Sequence, residues 1–248
     1  MKHYLHAFAM CQSMFCAIPF PFSIWDEDAR DKMLLFLPIV GLEIGLIWFF
    51  AAWISTFLGL CQWMIAVILT VLPFVLTGYI HLDGFMDVTD AVKSCRDLEK
   101  RRRILKDPHV GSFAVIGCCV LFLSQFACFA SLENSHGILI FLPAVSRCCS
   151  ALAITLLKPM STSQYALQSR HISRAYVLIG MLAFFVAMGF VCFGLSGAAL
   201  LGCMLGSGLS IFNGYRNLDG MNGDISGYAI TMGELCGVAV LALMGGLL

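Results

Sequence analysis

Charged side chains are scarce in this chain. They make up 12% of its residues, where a soluble domain carries roughly 25%, and 60% are hydrophobic. That deficit excludes a water-facing surface over most of the chain and points to lipid as the solvent. Net charge is missing too, because 15 basic and 15 acidic residues cancel, so nucleic acid is not an expected partner. Also lacking is any CxxC pair or Cys/His cluster at zinc-ligand spacing. The twelve cysteines, including Cys118-Cys119 and Cys148-Cys149, lie scattered in apolar runs and read as small buried hydrophobes. No basic n-region and small-residue cleavage site flank the first apolar stretch, so no signal peptide is expected.

What the chain does have is long uncharged runs. A bilayer core takes about 20 apolar residues per helix. Spans are expected at about 33–58, 61–80, 111–131, 138–157, 175–195, 198–213 and 228–247, with only Ser196-Gly197 between the fifth and sixth. Residues 3–22 are apolar but broken by Pro19 and Pro21, which makes them an interfacial or re-entrant segment. The expected fold is all-α: one polytopic membrane helix bundle over residues 1–248, with about seven transmembrane helices and a short N-terminal helix.

The basic residues test this alternation of spans. With the 81–110 loop cytoplasmic, the inside holds Lys2, Arg30, Lys32, Lys93, Arg96, Lys100, Arg101, Arg102, Arg103, Lys106, Lys158, Arg170, Arg174 and Arg216. Arg147 falls within a span, and the opposite loops near 59–61, 132–137 and 196–197 hold no Lys or Arg. The expected orientation is therefore N-terminus inside and C-terminus outside.

Against this apolar background the stretch GYIHLDGFMDVTDA, residues 78–91, is anomalous. Asp83, Asp87 and Asp90 stand at i, i+4 and i+7, a narrow stripe on one helical face. Three carboxylates this close to lipid repel one another with little screening, and a hard divalent cation, Mg²⁺ being the usual one, relieves the repulsion through oxygen ligands. The other reading is a solvated face paired with Lys93 or Arg96. His81 serves either as a base beside the stripe or as an interface anchor.

The run Lys100-Arg101-Arg102-Arg103 with Lys106 reads as a topology and lipid-surface signal or as capture of a phosphorylated substrate. Asp107 either caps the following span or joins the site. A second polar cluster, NLDGMNGDISG at 217–227, sets Asp219 and Asp224 among Gly220, Gly223 and Gly227; it is a phosphate-holding loop or an ordinary turn. GYIHLDG at 78–84 and GYRNLDG at 214–220 agree at five of seven positions, by an internal repeat or by chance. Glu43, Arg147 and Glu234 fall inside spans, where ionisable groups are rarely idle; Arg147 is the neutralising partner available to Glu43. Metal, basic loop and Gly loop on one membrane face suit phosphoryl or nucleotidyl transfer to or from a diphosphate.

At these residues the chain resembles the cobalamin synthase family, the adenosylcobinamide-GDP ribazoletransferases. HLDGFMDVTDA resembles that family's HLDGLADTxDG signature. AIPFPFS, FLPIVGLEIG, ILKDPHVGSFAVI, AVSRCCSAL and MNGDISGYAITMGEL are similar, in order, to its IPxP segment, FPLxGxxxG helix, MRDxxxGxxGxx stretch, SRG-containing helix and TGDxxGAxxExxE-like end. The resemblance implies a Mg²⁺-dependent enzyme of the bacterial inner membrane with its site on the cytoplasmic side. Its substrates would be adenosylcobinamide-GDP and α-ribazole or α-ribazole 5′-phosphate, and its products GMP and the cobalamin nucleotide loop. By the same resemblance Asp83, Asp87, Asp90 and Asp224 are metal ligands, with His81 and the first three catalytic. Arg102, Lys106, Asp107, Arg147, Gly223 and Glu234 are substrate-binding. Membrane lipid is the other expected partner, and a homo-oligomer is left open. The chain departs from the pattern at Ala91 and Asp219, where glycine is usual, at Asn222, where threonine is common, and at Glu43, where an apolar residue is normal. A CDP-alcohol-type synthase is disfavoured because the alanine and arginine of its DG-x₂-AR arrangement are missing after Asp83-Gly84, and a transporter would need acids at the midplane of several helices.

Overall fold

The computed structural model describes residues 2–22, 24–132, 136–160 and 172–245. Arg170, part of loop 132–137 and the last three residues lie outside them. Eleven α-helices and three short 3-10 turns make up the described residues, which contain no β-strand. The all-helical expectation holds.

Helix α1 (Lys2–Phe15) ends before the two prolines, and the chain then runs without helix to the single turn α2 (Glu27–Arg30). The first long helix, α3 (Leu37–Phe57), begins with proline in its first turn, where the missing N–H costs nothing. Next come α4 (Gln62–Leu76), α5 (Ile80–Lys93), the short basic helix α6 (Leu98–Ile104), α7 (Ser112–Ala130), α8 (Leu142–Leu156), α9 (Ile172–Phe193), α10 (Ala198–Leu218) and α11 (Gly223–Gly245).

Five stretches of the described residues are long and apolar enough to cross a membrane: Met33–Phe57, Ser112–Ala130, His136–Leu156, Ile172–Leu218 and Gly223–Met244. A sixth arises if α4 and α5, which meet at 92°, form one broken span. The expected span 61–80 thus stops early and turns. The expected break at Ser196-Gly197 falls inside the 47-residue stretch Ile172–Leu218, which would be about 70 Å long if straight. It is not straight. A Cβ on Gly197 would sit 3.0 Å from Phe190 Cα, so the chain doubles back where Gly194 takes φ +56.

Glycine lets the helices approach closely. A Cβ on Gly41 would press on Pro143 O of α8, and those on Gly202 and Gly206 would meet Val240 and Cys236 of α11. Each belongs to a Gly-xxx-Gly pair, which brings backbones together where lipid offers no hydrophobic drive. Trp48, wholly buried, donates its indole N–H to Leu69 O and ties α3 to α4.

Candidate active site

The stripe of aspartates is positioned by the bend between α4 and α5. Thr77 Oγ1 donates to Pro73 O and Phe74 O, closing α4, and Ala17 N donates to Leu76 O at 2.7 Å. Gly78 and Tyr79 then both adopt positive φ, +57 and +63, and turn the chain into α5. Along α5 one face is apolar and buried (Leu82, Phe85, Val88, Ala91), while Asp83 is exposed and Asp87 and Asp90 are half-buried on the other. Asp83 falls in the first turn, where the helix dipole favours a negative charge.

These three carboxylates line a small recess with Ile104, His109 and Gly111. Asp224 approaches from α11. A Cβ on Gly84 would lie 2.8 Å from Asp224 O, and one on Gly227 would lie 2.9 Å from His81 O, so α5 and α11 cross nearly backbone to backbone. The charges of Asp83, Asp224 and Asp90 all bear on Asp87. Among the described residues none of the four has a Lys, Arg or His partner in an ion pair. Lys93 and Arg96, the partners a solvated face would use, are not paired with them.

No group of three or more His, Cys, Asp or Glu among the described residues is gathered tightly enough to cage a metal by itself. Mg²⁺ does not need such a cage. It is ordinarily held by one or two carboxylates, waters and substrate phosphates, so this hard, oxygen-only and uncompensated set fits it.

The other expected site residues divide. Gly223 opens α11 beside Asp224. The loop expected at 217–227 is mostly helix: Asn222 caps α11, its Oδ1 accepting from Ile225 N at 3.0 Å while its Nδ2 donates to Asp224 Oδ2 at 2.6 Å. An asparagine in threonine's place keeps a capping side chain. Asp219, where glycine is usual, ends α10 in the left-handed region at φ +52. There it accepts from Arg102, whose guanidinium also donates to Leu218 O and Asp219 O. Arg102 is therefore occupied in tying α6 to the end of α10, and Arg101 does likewise with Asn217. Lys106 is exposed and has no ion pair among the described residues.

Asp107 does not cap α7, whose N-terminal residue is Gly111 without a side-chain cap. Instead its Oδ1 accepts from the backbone N–H and ring of His109, contacts that hold its carboxyl below the usual range. His109 lines the recess, a placement its loop position did not signal. His81 does not: its ring is buried and stacked on Phe15, with Nε2 lacking a hydrogen-bond partner. Arg147 and Glu234 lie away from the recess as a buried pair, 2.7 Å apart, with Ser146 Oγ donating to the same carboxylate oxygen. The neutralising partner of Arg147 is thus Glu234 and not Glu43. The matched heptapeptides are not a structural repeat either, because 78–84 begins a helix and 214–220 ends one.

Residues 7–242 match the family described as cobalamin-5-phosphate synthase. The chain belongs to that family. An adenosylcobinamide-GDP ribazoletransferase of Clostridium botulinum (strain Alaska E43 / Type E3) is 34% identical over 96% of this chain and 97% of its own length. A protein of the same name from Clostridium perfringens (strain SM101 / Type A) is 34% identical over 98% of this chain and its whole length. Another, from Lachnoclostridium phytofermentans, is 32% identical over 98% and 95%. No solved structure matches. Membership makes this chain a transferase of cobalamin biosynthesis, and it removes both the transporter and the phospholipid-synthase alternatives.

Proposed function

We propose that this cobalamin synthase transfers the adenosylcobinamide-phosphate moiety of adenosylcobinamide-GDP to α-ribazole or its 5′-phosphate. The products are GMP and adenosylcobalamin or its 5′-phosphate. The observation that carries the reading is the set of four carboxylates, Asp83, Asp87, Asp90 and Asp224, converging without an ion pair to any Lys, Arg or His among the described residues. A diphosphate cannot approach such a set unaided. These aspartates would hold Mg²⁺, which would supply the positive charge a diphosphate needs to approach them.

The protein's own groups then have defined tasks. His109 lines the recess, and Lys106, exposed two residues beyond the lining Ile104, attracts the diphosphate electrostatically. The acceptor hydroxyl oxygen attacks the phosphorus nearest cobinamide, and the bond from that phosphorus to the bridging oxygen of GMP breaks. The hydroxyl proton passes to a carboxylate of the α5 stripe, because the His81 ring faces Phe15 instead. The site faces the cytoplasm, where nucleotide-activated substrates are found, in the inner membrane.

Purified protein supplied with adenosylcobinamide-GDP, α-ribazole and Mg²⁺ should release GMP and cobalamin in equal amounts. GMP release without any corrinoid–ribazole product would show hydrolysis in place of transfer and overturn the reading.

A further inference from the structure

Beside the acid recess lies a larger open cleft of about 510 Å³, between the end of α1 and the α4–α5 bend. Ser13, Thr77, Gly78, Tyr79, Ile80 and Asp83 contribute to its walls. Asp83 also lines the recess, so the two spaces share a carboxylate. The volume lies within the roughly 300–1,000 Å³ that suits a ligand of nucleoside size. Among the described residues no Lys, Arg or His lines the cleft, and Asp83 is its one carboxylate. Such walls offer a diphosphate no positive charge, while the neutral base and ribose of an acceptor meet no such penalty.

Tyr79 is the second observation. Its backbone sits at φ +63 and ψ +4, a region that glycine enters freely and a bulky aromatic residue does not. The ring is half exposed and, among the described residues, stacks on no other ring and makes no side-chain hydrogen bond. The fold thus holds an aromatic side chain in an unfavourable backbone conformation with half its surface open to the cleft side and no ring partner among the described residues. Strain kept in this way marks positions used for ligands.

We propose that this cleft receives the aromatic riboside that accepts the phosphoryl group, with its fused base stacked on Tyr79 and its ribose hydroxyl directed at Asp83. The inference rests on the transferase reading above and names the side of the acid cluster from which the acceptor enters. The charged diphosphate occupies the opposite side, in the recess lined by His109. Size separates the substrates as well, since a corrinoid macrocycle exceeds the cleft.

The test combines Tyr79→Gly, which removes the ring while relieving the backbone, with Tyr79→Phe, which keeps the ring. Steady-state kinetics of the purified full chain should show the α-ribazole KM raised about tenfold in Tyr79→Gly. The adenosylcobinamide-GDP KM should stay within about twofold, and Tyr79→Phe should behave like the parent. Thermal stability of Tyr79→Gly should equal or exceed the parent's, so loss of fold does not account for the change. An unchanged α-ribazole KM, or a rise in the adenosylcobinamide-GDP KM instead, overturns the assignment. Equilibrium dialysis of α-ribazole alone separates the two levels. Binding that Tyr79→Gly abolishes, in a parent protein that makes no product, would uphold the cleft and sink the transferase reading.

Discussion

At the scale of single residues, the recess is crowded at Gly111. A Cβ there would collide with the Asp90 carboxylate, so the glycine is the space into which that side chain fits. Gly111→Ala should displace Asp90 and lower kcat/KM about 100-fold, with a higher Mg²⁺ requirement and unchanged thermal stability. Kinetics at graded Mg²⁺ check this, and parental activity would mean that Asp90 is not needed where it stands. Arg147 and Glu234 present the opposite case, a buried pair remote from the recess. Arg147→Met leaves Glu234 charged and unpaired and should cost about 3–5 kcal/mol of stability. Adding Glu234→Met should recover much of it, measured by unfolding in detergent.

The stripe of Asp83, Asp87 and Asp90 was readable from spacing alone, because helical periodicity acts over neighbouring residues. The partner of Arg147 was not. Glu234 is 87 positions away, and Glu43 is chemically equal to it on paper. His109 escaped notice for a similar reason: only the fold brings loop 107–111 against α5.

At the scale of elements, the basic run illustrates how one composition supports two uses. Lys100 to Arg103 reads as a capture loop, yet Arg101 and Arg102 are turned toward the C-terminal end of α10 and hydrogen-bond its unsatisfied carbonyls. Arg102→Ala should lower stability by about 1–3 kcal/mol and leave the KM for adenosylcobinamide-GDP nearly unchanged. Thermal unfolding and steady-state kinetics decide between the two uses, and a KM effect without destabilisation would restore the capture role. Of the two readings of the second cluster, the ordinary turn fits: α10 ends at Leu218 and the Asn222 cap starts α11 at Gly223, while Gly227 packs against His81 O of α5 and Gly220 against Met160. Gly-xxx-Gly pairs at 41/45, 202/206 and 233/237 bring α3 against the start of α8 and α10 against α11.

At the scale of the whole molecule, apolar run lengths foretold the helices well, because the bilayer sets their length. They did not foretell the 92° bend at Gly78-Tyr79, where Tyr79 masks a turn that glycine would announce. The proposed orientation rests on the placement of basic residues, and the chain carries its own probes for it. Cys61 and Cys95 are both exposed, in loops expected on opposite sides of the membrane. A membrane-impermeant maleimide applied to intact spheroplasts should label Cys61 and spare Cys95 until the cells are opened. Labelling of Cys95 from outside would invert the proposed topology and place the site away from its nucleotide substrate.

The central claim is that the carboxylates of α5 act on the diphosphate through a divalent cation. GMP release against Mg²⁺ concentration, for the parent and for Asp87→Asn in the same membranes, tests it most directly. The parent should show no product without Mg²⁺ and saturable activation with it, while Asp87→Asn should fall at least about 100-fold at every concentration. Full Mg²⁺-dependent activity in Asp87→Asn would contradict the account.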